Sequence, residues 1–158
     1  MPTFIGTFEN KIDSKGRVSV PATFRQALAG HAFNGIVAFS SYRAPAIEAA
    51  GMDFIEQLNE RIDAYDLFSP EQEDLVTSIF AEAHQLAFDG QGRVMLPPEL
   101  METAGISDRA AFVGKGKMFQ IWEPKALKTY KGQARERARQ QGLTVPSPKP
   151  APPAGGGR

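Results

Sequence analysis

Ile12-Asp13-Ser14-Lys15-Gly16-Arg17-Val18-Ser19-Val20-Pro21 and Phe88-Asp89-Gly90-Gln91-Gly92-Arg93-Val94-Met95-Leu96-Pro97 are one pattern written twice. Position 12 aligns with 88 and position 21 with 97, an offset of 76 residues throughout. Asp, Gly, Arg, Val and Pro are identical between the copies, and at the same offset Phe4 meets Phe80 and Phe24 meets Leu100. Register held this long marks an internal duplication, so the chain reads as two equivalent halves.

Each copy has the same local logic. A strand, Ile5–Ile12 or Ala83–Phe88, runs into a tight turn at Asp-x-x-Gly-Arg. Asp suits the first corner because its carboxylate accepts a nearby backbone N–H, and Gly suits the corner that needs positive φ. Asp13, Gly16, Asp89 and Gly92 are therefore the residues that shape and orient the turns. A short strand follows, with Val18 and Val20, or Val94 and Leu96, on one side and Ser19 or Met95 on the other. Pro21 and Pro97 stand where helices begin, predicting helices over 21–29 and 97–104 closed by Gly30 and Gly105. Further strands are expected near 36–39 and 118–122. In the latter, Met118, Gln120 and Trp122 face one way while Phe119 and Ile121 face the other.

Two helices are expected between the halves. Asp53-Phe54-Ile55-Glu56 has capping-box spacing, with Ile55, Leu58, Ile62 and Tyr65 on one stripe. Ser69-Pro70-Glu71-Gln72 opens a second helix carrying Leu75, Val76 and Ile79. These stripes read as core. A last helix, about Lys125–Gln141, carries six basic residues and only Glu136 as an acid. Residues 145–158, rich in Pro, Gly and Ala, read as disordered.

The formal net charge is zero over 158 residues, but its distribution is uneven. Residues 1–45 carry +3, 46–89 carry −10, 90–123 are balanced and 124–158 carry +7. A neutral chain can thus present a basic face and an acidic one. There is no cysteine, which removes disulfides, thiolate metal sites and thiol catalysis. His31 and His84 have no nucleophile or ligand spacing beside them. Gly114-Lys115-Gly116-Lys117 lacks the full phosphate-loop pattern and reads as a hairpin turn. The expectation is a non-enzyme with no cofactor, metal or small-molecule ligand. No apolar run is long enough to span a bilayer. The opening Met1-Pro2-Thr3-Phe4 lacks a secretory pattern, so a cytoplasmic location is expected.

The paired Asp-x-x-Gly-Arg-Val-x-Val/Leu-Pro segments resemble the two half-modules of the MraZ family, in the SpoVT/AbrB class of swapped-hairpin DNA-binding folds. The likeness continues through Phe4-Ile5-Gly6, Phe112-Val113-Gly114 and Phe119-Gln120-Ile121-Trp122. The resemblance implies an α+β fold of two hairpin-rich half-modules, interlocked around a pseudo-twofold axis. Half-modules are expected at 5–51 and 82–126, connecting helices at 52–81, a basic helix at 127–141 and a Pro/Gly-rich disordered tail at 142–158. It also implies a ring-shaped homo-oligomer, associated with the nucleoid. Such a protein would regulate the division and cell-wall gene cluster that contains its own gene.

On this resemblance the turns contact double-stranded DNA through Lys15 and Arg17 in the first copy and Arg93 in the second. Gln91 stands where the first copy has Lys15, so the second turn offers less charge and a different kind of contact. Chemically, an arginine can donate a bidentate pair to guanine O6 and N7, whereas a lysine is a point charge suited to phosphate. The same residues allow another reading, in which Arg17 and Arg93 pair with Asp13 and Asp89 and only lock the turns. The two roles are compatible. From a different functional class, the chain also reads as a ring-forming scaffold or antitoxin-like module that binds proteins through its acidic helices. RNA binding is disfavoured because neither turn carries an aromatic side chain for stacking.

Overall fold

A computed structural model describes residues 3–148. The chain divides into two compact units, residues 1–127 and 128–158. In the first unit, repeat one supplies β1 (Thr7–Lys11), β2 (Arg17–Ser19), α1 (Ala22–Ala27), β3 (Gly35–Ser40) and β4 (Ile47–Ala50). Helices α2 (Met52–Ile62) and α3 (Pro70–Val76) follow, the latter running into a π-helical segment, Thr77–Ala81. Repeat two supplies β5 (His84–Ala87), β6 (Arg93–Met95), α4 (Pro98–Ala104), β7 (Arg109–Gly114) and β8 (Phe119–Trp122). Helix α5 (Pro124–Gln140) begins in the first unit, where Leu127 is buried.

The repeats interlock. One antiparallel sheet has the order β1-β7-β8-β4-β3-β5, and β2 pairs with β6 in a separate two-stranded ribbon. The first strand of each repeat therefore lies on the hairpin of the other. Asn10 stands opposite Ala110 just as Leu86 stands opposite Ile36. At the centre β4 meets β8, the same strand of each repeat. This is an α+β, swapped-hairpin arrangement with internal pseudo-twofold order, as the family resemblance implied.

The four central strands of the sheet are buried on both faces, while the edge strands β1 and β5 are largely exposed. Ile36, Ala38, Ile47, Ala49, Phe112, Phe119 and Ile121 join Val18, Val20, Val94, Leu96, Phe24 and Leu100 in one core beneath the ribbon, α1 and α4. Val37 and Phe39 face the other way and pack with Phe54, Ile55, Ile62 and Ile79 of α2 and the π segment. Alternation along β3 thus sorts its residues between two cores. A cluster of Phe4, Phe24 and Phe119, with ring centroids 4.9–5.2 Å apart, ties the start of the chain to the first core.

The central strands hold a polar network in an otherwise apolar layer. Gln120 donates from Nε2 to both carboxylate oxygens of buried Glu48, at 3.1 and 3.2 Å, and accepts from Trp122 Nε1 at 2.8 Å. The expected same-side grouping of Gln120 and Trp122 is realised in this contact.

Local expectations fail where tertiary packing overrides spacing. Asp53 is not a cap: Gly51 holds the N-cap position of α2, with no side-chain cap, and Asp53 lies inside the first turn. β4 passes straight into the helix there. A Cβ on Gly51 would lie 2.6 Å from Leu28 Cδ2 and 2.9 Å from His31 Nδ1, so the tight junction takes a glycine. Tyr65 lies beyond the end of α2 and is exposed, whereas Ile55 and Ile62 are buried as expected. Ser69 does cap α3, accepting from Gln72 N at 3.2 Å. α4 ends at Gly105 in the left-handed region, but α1 ends at Leu28, two residues before Gly30. The first strand begins at Thr7, not Ile5. Residues 149–158 of the Pro/Gly-rich tail lie outside the described residues.

In the second unit α5 continues to Gln140, and Arg139 Nη2 bonds both oxygens of Glu136 at 2.7 and 2.8 Å. No helix among the described residues is long and apolar enough to cross a membrane.

Candidate nucleic-acid interface

The two turns are built alike. Asp13 Oδ1 accepts from the backbone N–H of Lys15 at 3.0 Å and of Arg17 at 2.8 Å, and Gly16 N closes the turn onto Asp13 O at 3.0 Å. Asp89 does the same for Gln91 at 2.8 Å and Arg93 at 2.9 Å, with Gly92 N on Asp89 O at 3.1 Å. Gly16 and Gly92 sit at φ +86° and +76°, a region L side chains enter at a cost. In both turns the Asp is the acceptor and the Gly takes the positive-φ corner.

Each arginine also donates Nε to its own aspartate, at 2.7 Å for Arg17–Asp13 and 2.8 Å for Arg93–Asp89. The carboxyl of Asp13 is held below the usual range, chiefly by the N–H of Arg17, against a desolvation that pulls the other way. The guanidinium of Arg17 and the N–H of Lys15 add to the lowering. Asp89 is lowered in the same way, with the N–H of Arg93 foremost. Arg–Asp pairing, the second reading left open by the motif, is therefore present. It engages only one edge of each fork. Among the described residues, the terminal nitrogens of Arg17 make no hydrogen bond, and Arg93 Nη1 stands 3.9 Å from Asp13.

The strands place these groups together. The sequence sets a strand of the same copy on either side of each turn. β2 pairs with β6 of the other copy, Arg17 opposite Met95 and Ser19 opposite Arg93. The two strands flanking the first turn are joined by the bridge Ile12–Val18 and by Asn10 Nδ2, which donates to Ser19 O at 2.8 Å. Gly16 O accepts from Leu96 N at 2.9 Å and Gly92 O from Val20 N at 3.2 Å, so each turn is pinned by the other repeat. In an antiparallel pair the two turns then fall at opposite ends of one ribbon. Val18 and Val94, each 1% exposed, point into the core. By alternation Arg17, Ser19, Arg93 and Met95 form the outward row, with Lys15 and Gln91 exposed in the turns. All eight candidate residues, Asp13, Lys15, Gly16, Arg17, Asp89, Gln91, Gly92 and Arg93, belong to this one element.

The acidic stretch lies elsewhere. Glu56, Glu60, Asp63, Glu71, Glu73 and Asp74 are exposed on α2 and α3 and the junction between them. Those helices pack on the sheet face opposite the ribbon. These six acids therefore lie away from the ribbon within the first unit.

One further cation belongs here and was missed. Arg25 of α1 lies against the second turn: a Cβ on Gly92 would overlap its guanidinium and stand 2.8 Å from its Cδ. The available signal was the residue at the equivalent position of the other repeat, Met101, which leaves an open groove of about 800 Å³ beside the first turn.

A family model described as "MraZ protein, putative antitoxin-like" matches residues 3–42 and 79–143. The interruption, residues 43–78, takes in β4, α2, all of α3 and the start of the π segment, and both turns lie inside the matched stretches. The chain is 49% identical over 146 residues to the transcriptional regulator MraZ of Rickettsia bellii (strain OSU 85-389), covering 92% of this chain and 97% of that protein. It is 45% identical over 145 residues to the transcriptional regulator MraZ of Rickettsia canadensis (strain McKiel), with the same coverage.

Proposed function

The chain belongs to the MraZ family, and from that premise we propose that it is a DNA-binding transcriptional regulator whose reading surface is the outward row of the β2–β6 ribbon. The observation that carries this reading is the orientation of two arginines on one exposed face. Each is fixed through Nε by its own aspartate, which leaves the outer edge of the fork for a ligand. A two-stranded ribbon fits the major groove, and a guanidinium so oriented suits guanine O6 and N7. Lys15 is placed for phosphate, and Gln91 can pair with adenine. Locking the turn and reading DNA are then one arrangement, because the carboxylate limits the rotamers the arginine must lose on binding.

A single ribbon offers few cations, so affinity per chain is modest and salt-dependent. A ring-shaped homo-oligomer would add ribbons at high effective concentration and favour repeated DNA elements. The expected target is the promoter of the protein's own division and cell-wall gene cluster, and the expected place of action is the nucleoid in the cytoplasm.

Fluorescence anisotropy with DNA from upstream of its own gene, against a scrambled duplex, tests this. Wild type should prefer the promoter, and Arg17→Ala and Arg93→Ala should each abolish the preference while the fold persists. Equal binding of both duplexes by wild type would sink the reading. The exposed acids of α2 and α3 favour a second one, docking of a basic protein partner in an antitoxin-like role. Charge reversal at Glu56 and Glu60 would then destroy function that the arginine changes spare.

A further inference from the structure

The two turns differ in sequence at two linked places. Lys15 of the first turn corresponds to Gln91 of the second, and Met101, beside the first turn, corresponds to Arg25, beside the second. By sequence alone the second turn is one cation short. The fold returns it from the other repeat. Arg25 sits on α1, and the interlocking of the repeats lays its guanidinium against Gly92, within the second turn. Among the described residues no carboxylate pairs with this guanidinium, although Arg17 pairs with Asp13, and Arg93 with Asp89 and, at 3.9 Å, with Asp13. It is only partly buried, so its charge is not spent inside the protein. Gly92 also lacks the side chain that would push it away.

We propose that Arg25 is the phosphate-binding cation of the second turn, supplied across the repeats, and takes the place that Lys15 holds in the first. This rests on the DNA reading of the ribbon and adds to it. Each turn then presents an aspartate-oriented arginine and one unpaired cation. At the first turn that cation rises from the loop, and at the second it comes from the helix beside it. The ribbon is pseudo-symmetric in charge but not in shape. Gln91 is released from any electrostatic duty and is free to read a base edge.

The test exchanges the two arrangements. Arg25→Met copies the residue of the other repeat, keeping bulk and removing charge. It should lower the slope of log affinity against log salt by about one, and weaken promoter and scrambled duplexes in equal proportion. Adding Gln91→Lys to Arg25→Met should restore both affinity and slope, because it rebuilds the first turn's arrangement in the second. A slope unchanged by Arg25→Met, or a double variant no better than the single one, overturns the proposal. Thermal unfolding of each variant checks the fold. Should Arg25→Met not fold, Met101→Arg in the open groove beside the first turn should steepen the slope, and no change there overturns the proposal equally. If Arg17→Ala and Arg93→Ala lose the promoter preference while Arg25→Met binds as wild type, only this inference fails. If none of the three substitutions matters, the DNA reading itself fails.

Discussion

Replacing Gly16 and Gly92 by alanine, one at a time, measures the geometry of the turns directly. Both glycines are left-handed, at φ +86° and +76°, and an alanine there costs about 1–2 kcal/mol. At Gly16 the new methyl meets nothing nearer than Leu96 O at 3.4 Å, so backbone strain is the whole cost. At Gly92 the methyl also meets Arg25 and must turn it out of its place. Arg25 yields as the end of a flexible chain, so the excess is on the order of one off-rotamer side chain, about 0.5–1.5 kcal/mol. Gly16→Ala should therefore lower Tm by about 2–8 °C, and Gly92→Ala by several degrees more. Urea denaturation should show the same order in midpoint at an unchanged m-value. In an Arg25→Ala background the excess should vanish, since the cycle removes the group that the methyl displaces. If Gly92→Ala costs no more than Gly16→Ala, or if the excess survives without Arg25, the placement of Arg25 over the second turn is wrong.

Gln120→Ala should destabilise the first unit by about 1–3 kcal/mol, because buried Glu48 loses both bonds from Nε2 and Trp122 Nε1 loses its acceptor at 2.8 Å. Calorimetry on this variant beside an exposed control, Gln85→Ala, checks it. Asp13 and Asp89 have lowered carboxyl pKa values, so each contributes stability that is complete above the unfolded value of about 3.9 and is lost as pH falls through the lower folded one. The double Asp13→Asn, Asp89→Asn variant should show a shallower fall in urea midpoint below pH 4. For DNA, Lys15→Ala should reduce the salt slope by about one without changing promoter preference. Arg17→Lys should keep the slope and lose about 1–3 kcal/mol of discrimination, because the fork and not the charge reads the base.

The turns were legible because their chemistry is local. Asp13 and Asp89 bond the next few backbone N–H groups, Gly16 and Gly92 take the strained corner, and spacing alone conveys both facts. The alternation at Val18-Ser19-Val20 likewise showed which residues enter the core. The partners of these strands were not legible in this way. Nothing local to Val18 says that it stands opposite Val94, and the interlocking was expected only through duplication and family likeness. β4 escaped notice because Ile47-Glu48-Ala49-Ala50 is short, shows no alternation and carries an acid. The strand is buried throughout, and Glu48 is tolerated there because Gln120 stands across from it and Arg43 Nη2 lies 3.9 Å away. The Asp53 spacing misled because the β4–α2 junction is decided by Leu28 and His31, which lie well upstream. Arg25 was hidden for the same reason: its neighbour Gly92 is distant in sequence, and only the swap brings them together.

The central claim is that DNA lies on the outward row of the ribbon, and site-specific photo-crosslinking tests it most directly. A photoreactive residue at Ser19, exposed between the two arginines, should crosslink to promoter bases at low salt. The same residue at Glu56, on the acidic helix across the sheet, should not. Crosslinking from position 56 with none from position 19 would contradict the account and move the nucleic acid to the opposite face.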